Sequence, residues 1–229
     1  MKKLVLTTIA ALAMVGVAFA QGNVNWGSIS FANMTSITNG TQYSPLLGGG
    51  PAGQGSGSTL GGAPGGASFY WALLTVAGAS QAPTPTTLAA LGAWTVTGLT
   101  ATNSNTAGRL QTVAGTAGAT VSWSTGTFQS IMLAGWSANL GTTYAAALAN
   151  IQLGTIQNAY FGLSATGYIT TRGSSTSPGA PVFGTTATAE GTPIQSLATP
   201  LFLVPVPEPG TMALAGLGGL AMLALRRKK

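Results

Sequence analysis

Short runs of apolar and polar residues fill the middle of the chain, and most are bounded by Gly, Pro, Ser or Thr. The first, residues 21–33, alternates and predicts a strand with a bulge at Gly27. Similar runs predict strands at residues 69–76, 94–97, 120–128 and 130–136, around 182, and at 201–204. Residues 159–163 and 167–171 are predicted to form a hairpin. Many short strands between turn residues favour a mainly β, β-sandwich-like domain.

One segment of this domain favours a short helix instead. Residues 140–153 are rich in alanine, Thr142 or Thr143 is placed to cap the start, and Gly154 is placed to end it. Long flexible loops are predicted where Gly, Ser and Pro cluster, at residues 47–67 and 173–181.

Residues 1–20 have the three parts of a secretory signal peptide. Two lysines precede an apolar run of fourteen residues, which is too short to span a bilayer comfortably, and the segment closes with small residues at Ala18 and Ala20. We predict that signal peptidase cuts here and leaves Gln21 as the mature N-terminus. A retained membrane anchor is the alternative.

A second apolar run, residues 210–225, contains no charged residue. As a helix its sixteen residues span about 24 Å at ~1.5 Å per residue, slightly less than a bilayer core of ~30 Å. Local thinning and snorkelling of flanking cations compensate for such a shortfall. The run leads directly into a basic cluster at Arg226, Arg227, Lys228 and Lys229. This arrangement favours a single C-terminal transmembrane helix with its basic end in the cytoplasm, rather than a buried core helix.

A Pro-Glu-Pro triplet, Pro207, Glu208 and Pro209, stands just before this helix. The triplet, the Gly/Ala/Leu helix and the basic end together resemble the PEP-CTERM sorting signal of Gram-negative bacteria. The resemblance implies that an exosortase, a membrane transpeptidase-like enzyme, recognises the triplet and removes the helix. The resemblance further implies that the protein passes from an inner-membrane-anchored precursor to the cell surface or extracellular polysaccharide. Such tails are also labelled ice-binding protein C-terminal domains, but that label describes the tail and is not evidence of ice binding.

The expected order is therefore a signal peptide at residues 1–20, an exported β-rich domain at 21–204 and a sorting signal at 205–229. The formal charge of +6 belongs almost entirely to the two outer segments, which hold six of the eight cations. The domain between them carries Arg109, Arg172 and Glu190. Glu190 either pairs with one of these arginines or stands alone as a solvated charge. A nearly neutral domain has no basic patch, so we expect no nucleic-acid partner.

The residue inventory leaves little chemistry for catalysis. The chain has no His, Cys or Asp, and no Lys lies between the two outer segments. This removes Ser-His-Asp, Cys-His and Schiff-base arrangements. Glu190 has only Glu208 as a second acid, too few for paired-carboxylate hydrolysis or an ordinary calcium site. We therefore predict no catalytic, cofactor-binding or metal-binding residues and no enzyme.

Two roles remain for the exported domain. The first is a structural or matrix-associated surface protein. The second is a binding module for neutral polysaccharide, in which exposed Trp and Tyr would stack on sugars, or for ice. An ice face needs a regular threonine array, and only Thr95 and Thr97 form a clean pair. Trp71 and Trp123 are expected in the core; an exposed aromatic row would favour binding, and uniformly buried aromatics a structural role.

Overall fold

The computed structural model describes residues 21–27, 69–103, 110–114, 118–156, 159–173, 178–195 and 201–204. The strands are β1 (Gly22–Asn25), β2 (Phe69–Ala77), β3 (Thr95–Asn103), β4 (Leu110–Ala114), β5 (Ala119–Val121), β6 (Gln129–Ser137), β7 (Tyr160–Leu163), β8 (Gly167–Ile169), β9 (Arg172–Gly173), β10 (Ala180–Pro181), β11 (Gly191–Thr192) and β12 (Phe202–Leu203). Between them lie the single helical turn α1 (Leu88–Leu91), the 3₁₀ helix Ala138–Leu140 and the helix α2 (Tyr144–Leu153). The prediction of a mainly β domain is confirmed.

The strands form two sheets. The larger has the order β11-β8-β6-β2-β3-β4, with β7 also pairing with β6, and β12 pairing with β7. Its centre is the antiparallel pair of β2 and β6, in register from Phe69 opposite Ser137 to Ala77 opposite Gln129. Both were predicted from the sequence and extend slightly beyond the predicted ends. The smaller sheet places β1 between β10 and β5, with β9 also pairing with β1.

Each face of the larger sheet has its own hydrophobic core. On β2, Trp71 and Leu73 belong to the core shared with the smaller sheet, whereas Ala72 and Leu74 belong to the other. The second core is covered by a helical layer that includes Tyr144, Ala147 and Ile151 of α2. Because both faces are covered, β2 and β6 read as nearly continuous apolar runs rather than alternating ones.

The helix α2 begins and ends where the sequence indicates. Thr143, rather than Thr142, is the N-cap, and its side chain accepts a hydrogen bond from the Ala146 N–H at 3.2 Å. At the other end Gly154 adopts a left-handed φ of 63°, and its N–H bonds to the carbonyls of Asn150 and Ile151. Glycine adopts this backbone conformation without the steric cost of a side chain.

The predicted hairpin is wrong. β7 pairs with residues 134–136 of β6, and β8 pairs with residues 129–131 of the same strand. The two therefore lie end to end along one edge of β6. At the break, Ser164 donates its N–H to the Leu133 carbonyl at 2.8 Å, and its Oγ accepts the Leu133 N–H at 2.9 Å. The serine side chain thus replaces a main-chain acceptor and interrupts the ladder.

The first strand is shorter than predicted. It ends at Asn25, and Trp26 and Gly27 adopt a 3₁₀ conformation in place of the predicted bulge. This turn accompanies insertion of Trp26 into the core, where its Nε1 donates to the Thr100 carbonyl of the larger sheet at 3.1 Å. The rest of the predicted strand, residues 28–33, lies outside the described residues.

Other boundaries between strands and loops also differ from prediction. β3 continues well past Thr97. The register between β2 and β3 shifts around Gly98, which has a φ of 89°, and pairing with β2 resumes after it. β5 stops at Val121, ahead of the positive-φ Gly126. Part of the predicted loop at 173–181 is paired, since Ala180 and Pro181 lie parallel to β1. A strand was expected around residue 182. The structure instead has the β1 pairing, which ends at Pro181, and an isolated parallel bridge between Phe183 and Ile194.

The strand predicted at residues 201–204 is confirmed as β12. The loop predicted at residues 47–67 lies outside the described residues. Within the described ranges, no helix has both the length and the apolar character needed to cross a membrane. The segment predicted to do so, residues 210–225, is outside those ranges.

Candidate functional site

The residues predicted to direct processing lie mostly beyond the part that the structure describes. They are Ala18, Ala20, Pro207, Glu208, Pro209, Arg226, Arg227, Lys228 and Lys229. Gln21 is described; it is exposed and directly precedes β1. Val204 is buried directly after β12 and stands three positions before Pro207.

Arg172 and Glu190 form an ion pair between the two sheets. Arg172 lies on β9 and Glu190 directly precedes β11, and Nε donates to Oε1 at 2.7 Å. The Nη1 of Arg172 also donates to the Pro178 carbonyl at 3.0 Å. The hydrogen bond from Arg172 holds the pKa of the Glu190 carboxyl below its usual value, against the opposing effect of burial. The ion-pair alternative is therefore correct for Arg172, while Arg109 lies outside the described residues.

This pair contains both charged side chains of the described residues. The side chains are 34% and 14% exposed for Arg172 and Glu190, and each satisfies the other. Apart from this pair, the described surface presents neutral groups.

All five tryptophans of the chain are buried. They are Trp26, Trp71, Trp94, Trp123 and Trp136, and none is more than 7% exposed. The prediction that Trp71 and Trp123 lie in the core is confirmed. No tryptophan offers an open ring face to a sugar, which favours the structural role over a binding surface built on tryptophan.

The threonine pair considered for ice is engaged with the neighbouring strand. Thr97 donates its hydroxyl to the Leu73 carbonyl at 3.0 Å, and Thr95 donates to the Thr75 carbonyl at 3.3 Å. Both hydroxyls donate to main-chain carbonyls of β2, so neither is available to donate a hydrogen bond to the water of an ice surface.

A groove of about 310 Å³ lies between the first turn of α2 and the β2–β4 part of the larger sheet. Tyr70, Trp136 and Tyr144 line it on one side, and Val96 and Val113 line it as well. The two valines are 43% and 65% exposed. Exposed valines beside aromatic rings make an apolar surface that is open to a ligand.

The aromatic side of the groove is held rigidly. The ring of Trp136 stacks with Tyr70 at 6.3 Å between centroids and contacts Tyr144 at 5.9 Å. Its Nε1 donates to the Gly141 carbonyl at 2.8 Å. Burial raises the pKa of Tyr144, so its hydroxyl remains protonated. This hydroxyl has no hydrogen-bond partner among the described residues.

The groove is lined by neutral side chains. Its lining has threonine and tyrosine hydroxyls but no charged side chain to act as acid or base. A charged ligand would lose its hydration without gaining a counter-charge, so a neutral molecule with an apolar face fits best. Within the described residues, no cluster of metal-binding side chains is present either.

The sequence alone does not indicate this groove. Its walls come from β2, β3, β4, β6 and the start of α2, which are far apart in the chain. The available signal was the alternation in β2, which places Tyr70 on the opposite face from Trp71. The alternation alone does not define a groove, because the other wall is formed by the start of α2.

The C-terminal region of the chain matches a known sorting signal. Residues 205–228 match the family model of the PEP-CTERM protein-sorting motif. Neither a curated protein nor a solved structure matches the chain. A sorting motif of this kind indicates an exported protein that is processed by an exosortase. The resemblance seen in the sequence is confirmed: the chain carries a PEP-CTERM protein-sorting motif at residues 205–228.

Proposed function

We propose that this is a non-enzymatic protein of the cell surface or extracellular matrix, delivered there through its PEP-CTERM tail. The observation that carries the proposal is the family match at residues 205–228. The buried tryptophans and the paired charges of the domain support a structural rather than a catalytic role.

In this proposal the chain is processed at both ends. Signal peptidase cuts after Ala20, and the helix at residues 210–225 holds the precursor in the inner membrane. Exosortase then recognises Pro207, Glu208 and Pro209 and releases the domain.

Replacing Glu208 tests this route. We expect Glu208→Gln, or deletion of residues 207–209, to leave uncleaved precursor in the membrane fraction of the native host and to abolish surface delivery. Glu190→Gln is the matched control, because it makes the same change at the only other acid of the chain. Normal maturation and delivery of the Glu208→Gln protein would contradict the proposal.

The groove favours a second candidate function, the binding of a neutral polysaccharide. A pyranose ring offers an apolar face for Tyr70 and Val113 and hydroxyls for the threonines at the rim. Ice is the weaker ligand candidate because the hydroxyls of Thr95 and Thr97 are already bonded.

Binding is tested by a pull-down of residues 21–204 with the extracellular polysaccharide of the host. Val113→Glu places a charge in the groove and should abolish retention. Leu153→Glu is the matched control, since Leu153 is equally exposed, at 68%, and is absent from the groove lining. Retention of Val113→Glu at the wild-type level, or no retention of the wild type, would reject the polysaccharide site.

A further inference from the structure

Gln21 lies at the surface, directly before a strand whose main chain is held in place. Gln21 is exposed, whereas Gly22, the first residue of β1, is buried. Gly22 is paired with Val121 of β5 and with Gly173 of β9, so the chain is anchored between two strands from this residue on. Among the described residues, none forms a hydrogen bond with the Gln21 side chain. The carboxamide of Gln21 is therefore accessible and unrestrained beside an anchored strand.

Cleavage after Ala20 makes Gln21 the first residue of the domain and gives it an α-amine. This inference rests on the proposed function, because it assumes that signal peptidase cuts at this position. The α-nitrogen of an N-terminal glutamine can reach the side-chain carbonyl carbon, Cδ, by closing a five-membered ring. An α-amine is partly unprotonated near neutral pH, so its lone pair is available for the attack. Because both groups belong to one residue, no entropy is lost in bringing them together.

We propose that Gln21 is a modification site and that the exported domain begins with pyroglutamate. The α-nitrogen forms a bond to Cδ, and the bond between Cδ and the side-chain nitrogen breaks. That nitrogen leaves as ammonia with the proton that the amine gives up, so no oxidant, reductant or second substrate is consumed. The product is a neutral lactam in place of a charged amine. The reaction changes no atom of Gly22, so the pairing of β1 is preserved.

The distribution of lysine makes this change important for the whole domain. Every lysine of the chain lies in one of the two segments proposed to be removed, at Lys2, Lys3, Lys228 and Lys229. Between these segments, the α-amine of Gln21 is the one primary amine that processing creates. Cyclisation removes it. The released domain then has no amino group on which an aminopeptidase or an amine-directed cross-link could act.

The test uses the full chain in its native host. Surface-delivered protein is treated at harvest with an amine-reactive ester and then digested, and the mass of its N-terminal peptide is measured. Labelling at harvest distinguishes rings that closed in the host from rings that close during preparation. We expect the wild-type peptide to be unlabelled and lighter by one ammonia than a peptide that begins with unmodified Gln21. Gln21→Met is the matched control, since methionine has a similar length but no carbonyl carbon to attack, and its peptide should be labelled.

Two results would overturn the proposal while leaving the signal cleavage in place. One is a wild-type peptide that begins with labelled Gln21. The other is an unlabelled N-terminus in Gln21→Met, which would show that the block does not need the glutamine carboxamide. A wild-type peptide that still contains residues before Gln21 would overturn both the proposal and the cleavage position on which it rests.

Discussion

Gly135 on β6 stands opposite Trp71 on β2, and the indole of Trp71 occupies the space where a side chain at position 135 would begin. Trp71 is fully buried in the core between the two sheets. The indole can pack this closely against β6 only because residue 135 is a glycine and has no side chain.

Gly135→Ala should therefore destabilise the domain. The added methyl group would overlap the indole nitrogen of Trp71, and overpacking of this kind costs about 1–3 kcal/mol. Urea unfolding followed by tryptophan fluorescence measures the change. Gly78→Ala is the control, since Gly78 is exposed and its new methyl would meet only the Ser80 carbonyl, at 3.3 Å.

A double-mutant cycle identifies the cause. Trp71→Phe removes the nitrogen-bearing ring, so Gly135→Ala should cost less in that background than in the wild type. Equal costs in both backgrounds would show that Trp71 is not the obstacle.

Acid should weaken the fold through Glu190. The bond from Arg172 holds the pKa of this carboxyl below 4.5, the ordinary value. A carboxylate whose pKa is lowered by folding contributes stability that is present above its unfolded pKa and is lost as pH falls through the folded pKa. We expect the free energy of unfolding to fall by about 0.5–1 kcal/mol below pH ~4.5. Urea titrations at neutral and acidic pH measure it.

The source of this acid dependence is easy to assign, because the chain has no His and only one other acid, Glu208. Glu190→Gln should flatten the profile, whereas Glu208→Gln should leave it intact. An unchanged acid slope in Glu190→Gln would exclude the ion pair as the cause.

The cap of α2 should be specific to Thr143. Thr143→Ala removes the acceptor for the Ala146 N–H and should cost about 0.5–2 kcal/mol of unfolding free energy. Thr143→Ser keeps an acceptor and should cost much less, and Thr142→Ala should cost little because Thr142 is exposed and does not cap the helix. Thermal unfolding followed by circular dichroism ranks the three variants. A larger effect at Thr142 than at Thr143 would reverse the assignment.

The two tyrosines 144 and 168 should respond differently to loss of the hydroxyl. The buried Tyr144 hydroxyl has no partner among the described residues, so Tyr144→Phe should leave stability unchanged or raise it. Tyr168 donates to the Gly78 carbonyl at 3.1 Å, so Tyr168→Phe should lower stability by about 0.5–1 kcal/mol. Denaturant midpoints distinguish these outcomes. A clear loss in Tyr144→Phe would indicate that its hydroxyl is bonded after all.

The features predicted correctly depend on local signals. Strands β2 and β6 are marked by apolar runs, and α2 is marked by a capping threonine and a terminal glycine. The incorrect predictions concern strands whose partners are distant in sequence. Because β7 and β8 are neighbours in sequence, the pattern predicts that they pair with each other, but both pair with the same edge of β6.

Partner choice also limited the prediction of sites. From the sequence, Glu190 could pair with Arg109, with Arg172 or with neither. In the fold, β9 brings Arg172 next to Glu190, which directly precedes β11, and the two form an ion pair. The groove depends on α2 folding back over the larger sheet, which no residue pattern near Tyr144 indicates. The sorting motif, by contrast, is a linear signal and was found from its residues alone.

Leu201 packs in the core between the two sheets, and Val204 packs in the core under the helices. Neither core is complete without residues 201–204, so removing this short segment would open apolar surface on both faces of the larger sheet at once. The stability of the whole fold is therefore sensitive to the last four residues that the structure describes.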